Sequence, residues 1–237
     1  MNRSILSFVT PYGTSACKWD SVLPITQLWN EYERLIKPSG AIVLFGSEPF
    51  SSHMRLSNQK LYKYDWVWEK SNGANFLNVK YQPFKVHENI MVFGKMATSY
   101  SKKGNMVYYP QMGTGKPYKQ CQQENPERKD HKLGSSIRSH INRNQNENDG
   151  TRYPRSVLRF QHDAEKLHPT QKPVALIEYL VRTYSREGET VLDNCMGSGT
   201  TGVACAISNR DFIGIEKDEN YFNIAKKRIE SCRKRRY

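Results

Sequence analysis

The residues with the clearest chemical purpose form the run Asp193-Asn194-Cys195-Met196-Gly197-Ser198-Gly199-Thr200-Thr201-Gly202. An apolar strand, Thr190 to Leu192, precedes it, and a helix-forming stretch, Thr200 to Ile207, follows. A second strand, Phe212 to Ile215, then ends at Glu216, about 20 residues beyond Gly197. Gly197 and Gly199 permit a tight turn and a close backbone approach to a ligand. The opening helix offers unpaired N–H groups to a carboxylate or phosphate, and Glu216 can accept both hydroxyls of a ribose. A bare glycine pattern is weak evidence, since a purely structural turn has the same composition. Strand, loop, helix and acid in this order describe a site for a nucleoside-bearing cofactor.

A nicotinamide dinucleotide is the first ligand to consider. Its domain would need further strand and helix units after Glu216, where only about 20 residues remain, so the usual order cannot apply and the sheet must be permuted. Cys195, inside the loop, has no base partner in the sequence to activate it as a nucleophile.

The elements that would position this loop alternate along the chain. A short strand at Ile5 to Val9 precedes a helix from Val22 to Ile36, which sets Leu28, Tyr32 and Leu35 on one face and stops at Pro38-Ser39-Gly40. Strands follow at Ala41 to Phe45, Tyr64 to Trp68 and Asn89 to Phe93, with Trp66 and Trp68 expected to pack in the core. Pro173 opens a helix carrying Leu176, Ile177, Leu180, Val181 and Tyr184, and Gly188 marks its exit. A last helix from Tyr221 to about Ser231 is expected to bury Phe222, Ala225 and Ile229, with Asp218 and Glu219 at its start and Lys226 to Arg228 near its end complementing the macrodipole. This is the rhythm of a mostly parallel α/β sheet.

Between Gly94 and Leu167 the periodicity lapses, and Gly, Asn, Gln, Ser and Lys dominate. This segment holds 14 Lys and Arg against 7 Asp and Glu, interleaved with Tyr100, Tyr108, Tyr109, Tyr118 and Tyr153. It reads as an insertion, the plainer alternative being a polar loop without function. The whole chain of 237 residues carries a formal charge of +13 and a pI near 9.5, which suits a polyanionic partner. Cys17, Cys121, Cys195, Cys205 and Cys232 contain no C-x-x-C pair, so neither a zinc site nor a disulfide framework is indicated, and no metal is expected. No apolar run approaches a membrane span of roughly 18 residues, and a soluble, cytoplasmic protein is expected.

The chain resembles the amino-methylating DNA methyltransferases of the permuted β class. The resemblance rests on His168-Pro169-Thr170-Gln171-Lys172-Pro173, on Leu192-Asp193 with Met196-Gly197-Ser198-Gly199-Thr200-Thr201, and on Phe212-Ile213-Gly214-Ile215-Glu216. Further likeness lies in Phe45-Gly46-Ser47-Glu48-Pro49-Phe50, in Trp68-Glu69-Lys70, and in Asn75, Phe76, Lys80, Pro83, His87 and Glu88. Where many relatives have Phe, this chain has Cys195. The resemblance implies a Rossmann-like methyltransferase sheet, circularly permuted, with residues 1–93 and 168–237 as the core and 94–167 as a target-recognition insertion. It implies S-adenosylmethionine as cofactor, with Thr170 and Lys172 near the methionine moiety, Asp193, Gly197, Gly199 and Thr200 lining the loop, and Glu216 on the ribose. His168 either shares that role or is a strand-end residue without one. The implied partner is double-stranded DNA with one extruded base, in the setting of DNA methylation and restriction-modification. Phe76, Lys80, Lys102, Lys103, Arg128, Arg138, Arg152 and Arg155 are candidate DNA contacts.

The family places a tetrapeptide after its first catalytic strand: Asp, Asn or Ser, then Pro, Pro, and an aromatic residue. Its task is to hold an exocyclic amine, whose lone pair is delocalised into the base ring, in line with the methyl donor, and to stack the extruded base. Here the corresponding residues are Thr10-Pro11-Tyr12, the candidate catalytic set, with the acid or amide and one proline missing. A threonine hydroxyl is a weaker acceptor than a carboxylate by about 1 to 2 kcal/mol per bond. Relatives also carry a strand and helix upstream, so a sheet one strand short is expected. Two readings follow: a methyltransferase acting on adenine N6, or alternatively cytosine N4, and a catalytically inactive remnant that binds DNA and cofactor.

Overall fold

Ile42-Val43-Leu44-Phe45 and Ile90-Met91-Val92-Phe93 carry apolar side chains at consecutive positions, and strands of that pattern need cover on both faces. The computed structural model, which describes residues 3–5, 24–73, 75–119 and 147–234, supplies it. Val43, Phe45, Ile90, Val92 and Val191 point into one apolar layer together with Leu176, Ile177, Leu180, Val181 and Tyr184. Ile42, Leu44, Met91, Phe93 and Leu192 point the opposite way, against Trp29, Tyr32, Ile36, Phe50 and Met54. The architecture is a sheet sandwiched between two helical layers.

In chain order the elements are β1 (Arg3–Ile5), α1 (Ile25–Leu35), β2 (Ile42–Gly46), α2 (Phe50–Ser57), β3 (Tyr62–Glu69), β4 (His87–Phe93), β5 (Gly113–Thr114), β6 (Tyr118–Lys119), β7 (Glu147–Asn148), β8 (Thr151–Arg152), β9 (Val157–Arg159), α3 (Val174–Tyr184), β10 (Thr190–Asp193), α4 (Thr200–Ser208), β11 (Asp211–Gly214) and α5 (Glu219–Lys234). β10 lies between β1 and β11, parallel to both, with Ile5 opposite Leu192. β4 lies between β2 and β3, antiparallel to both, and β9 adds to the outer edge of β3 in parallel. β1 neighbours β2, and both ladders feed the same two apolar layers. The strand met first in the chain thus sits beside the strand that carries the glycine loop, as a permuted order requires. The strand order reverses between β1 and β10, the point at which open α/β sheets form a ligand crevice beyond the carboxyl ends of their strands.

Three details differ from the periodicity. The buried stripe of α1 is Trp29 and Tyr32, continued by Ile36, with Leu28 and Leu35 at its flanks, because the large ring of Trp29 packs on Phe93 at a centroid distance of 4.9 Å. α5 runs on to Lys234, so Lys226 to Arg228 lie in mid-helix and Arg233 and Lys234 occupy the last turn. Of the three residues expected to be buried on α5, only Ala225 is fully so; Ile229 is partly covered and Phe222 is 40 % exposed, because the small residues Gly199 and Gly202 draw the Ala225–Ile229 side of the helix inward. Trp66 and Trp68 are buried in the core, as expected.

The chain divides into two compact units, Met1–Tyr109 with Arg155–Tyr237, and Pro110–Pro154. In the second unit β5 pairs with β8 and β6 with β7, both antiparallel. Arg152 ties these ladders together: its guanidinium lies 4.9 Å from the Tyr118 ring centroid and donates to the Lys116 carbonyl and to Asn148 Oδ1.

Candidate functional site

The loop after β10 is built around Asp193, which is buried. Its Oδ1 accepts the Cys195 N–H at 3.0 Å and its Oδ2 accepts the Thr201 hydroxyl at 2.5 Å, so one carboxylate spans both ends of the turn. Gly197 (φ +52) and Gly199 (φ +78) adopt left-handed conformations that side chains disfavour. A Cβ on Gly199 would lie 2.7 Å from Ala225 Cβ and 2.9 Å from Ala225 Cα, so the close approach of α5 also demands glycine. Gly199→Ala is therefore expected to cost about 2 to 4 kcal/mol in urea denaturation, from backbone strain plus overpacking. Gly188→Ala, at φ +74 in open space, is the control and should cost about 1 kcal/mol.

Glu216 closes the loop from the next strand. Its Oε2 accepts the Gly197 N–H at 2.8 Å, and its Oε1 accepts the N–H groups of Lys217 and Asp218 at 2.9 and 3.0 Å. A carboxylate offers about four lone-pair directions, so this partly exposed group keeps acceptor capacity for a ribose hydroxyl. The first-turn N–H groups of α4 have no carbonyl within their own helix and point out of its amino end. These features fit a ligand bearing a diol and an anionic group.

The run before α3 forms the opposite wall. The buried His168 ring faces Gly197, packs edge-on against Tyr221 at 4.3 Å, and receives the Thr170 N–H at Nδ1 at 3.2 Å, with the Thr170 hydroxyl 3.1 Å away. Burial holds its imidazole below the ordinary value, outweighing the Glu216 carboxylate. Gln171 Oε1 accepts the Ser198 hydroxyl at 3.0 Å, joining the run to the glycine loop. Arg228 reaches across from α5 to the Ser198 carbonyl at 3.2 Å and to Thr200 Oγ1 at 3.1 Å. Cys195 is held up to about 12 by burial and by the Asp193 and Glu216 carboxylates, so its thiol stays protonated at neutral pH, as expected of a residue that is not a nucleophile.

Lys172 turns away from the loop into the interior. Its Nζ donates to Glu88 Oε2 at 2.7 Å, and Lys70 Nζ donates to Glu88 Oε1 at 3.0 Å. The same ammonium lies 5.2 Å from the Phe45 ring and 5.9 Å from Trp68. Burial alone would raise Glu88, but the Lys172 and Lys70 ammonium groups overcome it and hold the carboxyl at about 2. This triad gathers the carboxyl ends of β2 and β3 and the amino end of β4 against the His168–Pro173 run.

Asp193, Gly197, Gly199, Thr200 and Glu216 are thus brought together, with Thr170 alongside. Thr10, Pro11, Tyr12, Arg128 and Arg138 lie outside the described residues. Phe76, Lys80, Lys102, Lys103 and Arg155 are exposed, and Arg152 is engaged in the Pro110–Pro154 unit. Sequence reasoning assigned no bond to Glu88, Gln171 or Arg228. Glu88 and Gln171 stand inside family-like motifs, but each is flanked by polar residues, His87 and Asn89 or Thr170 and Lys172, so the local pattern carries no signal of its own.

A sheet covered on both faces, with a glycine loop at the order reversal and an acid ending the next strand, defines a Rossmann-like nucleoside-cofactor domain in permuted order. The family described as DNA methylase, of the N6/N4 methyltransferase type, matches residues 14–227, opening just downstream of Thr10, Pro11 and Tyr12. The chain belongs to this family. It is 28% identical over 227 residues to the Type II methyltransferase M.HpaI of Haemophilus parainfluenzae, covering 93% of this chain and 64% of that protein. It is 47% identical over 64 residues to the Type II methyltransferase M2.DpnII of Streptococcus pneumoniae, covering 27% and 24%. The chain therefore spans less than two thirds of the length of these curated relatives. Among solved structures, M1.HpyAVI in complex with SAM matches with a TM-score of 0.60 at 24% identity, over 96% of this chain and 90% of that one. The cytosine-N4-specific PvuII DNA methyltransferase matches at 0.58 and 13%, over 99% and 85%. Both likenesses establish the fold. Among the described residues no helix is long and apolar enough to cross a membrane, and no cluster of His, Cys, Asp and Glu could hold a metal.

Proposed function

We propose that this chain is an S-adenosylmethionine-dependent DNA methyltransferase, acting in the cytoplasm on an exocyclic base amine of double-stranded DNA with the target base extruded. The observation that carries the reading is the loop in which Asp193 spans the turn and Glu216 caps Gly197, beside β1 at the order reversal. When bound, the cofactor supplies an electrophilic methyl group. Glu216 accepts a ribose hydroxyl, the first-turn amides of α4 meet the anionic end, and His168 and Thr170 form the wall facing Gly197. Lys172, paired with Glu88, fixes that wall to the half of the sheet that handles the base. Tyr12 stacks on the extruded base, and the Thr10 hydroxyl, next to Pro11 in the candidate set, accepts a hydrogen bond from the amine. Adenine N6 is the first expectation and cytosine N4 the alternative. The segment 94–167, with the basic residues at Lys102, Lys103, Arg128, Arg138, Arg152 and Arg155, serves target recognition, and 1–93 with 168–237 is the core.

A second reading, a binding remnant without methyl transfer, is favoured by one feature: Thr10 stands where the family has an acid, an amide or a serine. Purified protein incubated with labelled S-adenosylmethionine and mixed-sequence DNA separates the two when cofactor binding and methyl incorporation are read independently. Incorporation, with the modified nucleoside identified, supports the first reading; binding alone supports the second, and no cofactor binding ends both. Replacing Thr10-Pro11 with Asp-Pro-Pro, so that the chain reads Asp-Pro-Pro-Tyr, is expected to raise incorporation at least about tenfold.

A further inference from the structure

Between β3 and β4, residues 70–73 and 75–86 are tied together by their own bonds. The Lys70 N–H donates to the Val86 carbonyl at 2.7 Å and closes the root. Asn75 spans the interior, accepting the Lys85 N–H at 2.7 Å and donating to the Pro83 carbonyl at 3.1 Å. The Phe84 ring covers Gly73 so closely that a Cβ there would fall 2.3 Å from it. A single 3-10 turn, Phe76–Asn78, followed by Tyr81 and Gln82 N–H bonds to the Asn78 carbonyl, forms the tip.

This ordered tip turns large side chains outward: Phe76 is 69%, Leu77 78% and Tyr81 88% exposed. Residues 71–86 carry Lys80 and Lys85 and no acid. The root is anchored at the site, because Lys70 and Glu88 join Lys172 in the buried triad, and the Lys172 run holds His168 against the glycine loop. A hydrogen-bonded loop that exposes Phe76, Leu77 and Tyr81 within a purely cationic segment matches the two needs of a duplex distorted by base extrusion. One is a flat apolar body for the vacated stack, and the other is positive charge for the flanking phosphates.

We propose that the 76–81 tip is a wedge that enters the duplex and fills the space left by the extruded base, with Phe76 and Tyr81 stacking there and Lys80 against the backbone. The proposal rests on the DNA methyltransferase reading and adds to it how the extruded state is held. An unstacked position that already exists in the DNA then binds more tightly, because the wedge no longer works against an intact stack.

The test compares the wild-type 237-residue chain with Phe76→Ala/Tyr81→Ala by fluorescence anisotropy. The probes are mixed-sequence duplexes, the same duplexes carrying one abasic site, and single strands, all at one fixed salt concentration. Wild type is expected to bind the abasic duplex at least about fivefold tighter than the intact one, and the double variant to lose that preference while binding single strands within about twofold of wild type. Both side chains are exposed, so an unchanged thermal midpoint verifies that the variant is folded. Lys80→Ala should weaken all three probes alike and lower the salt slope by about one. Equal binding of intact and abasic duplexes by wild type overturns the wedge. So does a loss in the double variant that is uniform across all probes, which makes the loop a general DNA contact. Unchanged DNA binding with a shift in sedimentation overturns it in favour of a contact between two copies. Absence of wild-type binding to any DNA overturns the DNA methyltransferase reading itself, a result distinct from the others.

Discussion

Glu88→Gln is expected to destabilise the protein by about 3 to 5 kcal/mol, because it removes a carboxylate that pairs with two buried ammonium groups. Lys70 and Lys172 would then face each other without a counter-charge at Glu88, beside the Phe45 and Trp68 rings. The Glu88 carboxyl sits at about 2 in the fold against an ordinary 4.5. A depressed carboxylate stabilises fully above the unfolded value and loses that contribution as pH falls from about 4.5 through about 2, here on the order of 3 kcal/mol. Urea midpoints measured between pH 6 and 3 should therefore fall steeply in wild type and more gently in Glu88→Gln. Adding Lys172→Met to that variant should restore part of the loss near neutral pH by removing one of the two ammonium groups that Glu88 pairs with. A wild-type midpoint as flat as that of the variant would exclude this role for Glu88.

Asp193→Ala should reduce the affinity for labelled S-adenosylmethionine by about a hundredfold in equilibrium dialysis, equivalent to about 2.7 kcal/mol. The substitution orphans the Cys195 N–H and the Thr201 hydroxyl at once, and the loop loses the clamp that spans its turn. Thr201→Val removes only the hydroxyl and leaves the backbone bond, so a loss under about tenfold is expected. Equal effects of the two substitutions would show that the carboxylate acts through α4 alone rather than through the turn.

Much of the fold was legible because its strands are apolar on consecutive residues and its helices repeat at helical spacing. α3 illustrates this: Leu176, Ile177, Leu180, Val181 and Tyr184 were expected on one face, and all five are buried. The antiparallel placement of β4 between β2 and β3 was not legible, since a buried strand has the same composition in either direction. Phe222 was misplaced because a 3.6-residue period identifies a face of α5 but not how wide the contact with its neighbours is. The glycine loop and Glu216 could be read locally, as their spacing along the chain follows directly from strand, turn and helix geometry. Glu88 and Arg228 act across 84 and 30 residues respectively, and such pairings depend on how distant elements pack. The charge of Arg228 suggested a role in the helix dipole, whereas its reach to Ser198 and Thr200 depends on where α5 lies.

The pairing of β1 with β10 also governs the timing of assembly. Ser4 meets Val191, and the segment between them must be made before the central ladder can close. At about 5 to 20 residues per second, synthesis leaves the first strand without that partner for roughly 10 to 40 seconds. β2, β3 and β4 can pair with one another much earlier, since their contacts lie within residues 42–93. The nascent chain can therefore pair β2, β3 and β4 first, and it becomes able to grip a nucleoside only once β10, its loop and Glu216 have been made.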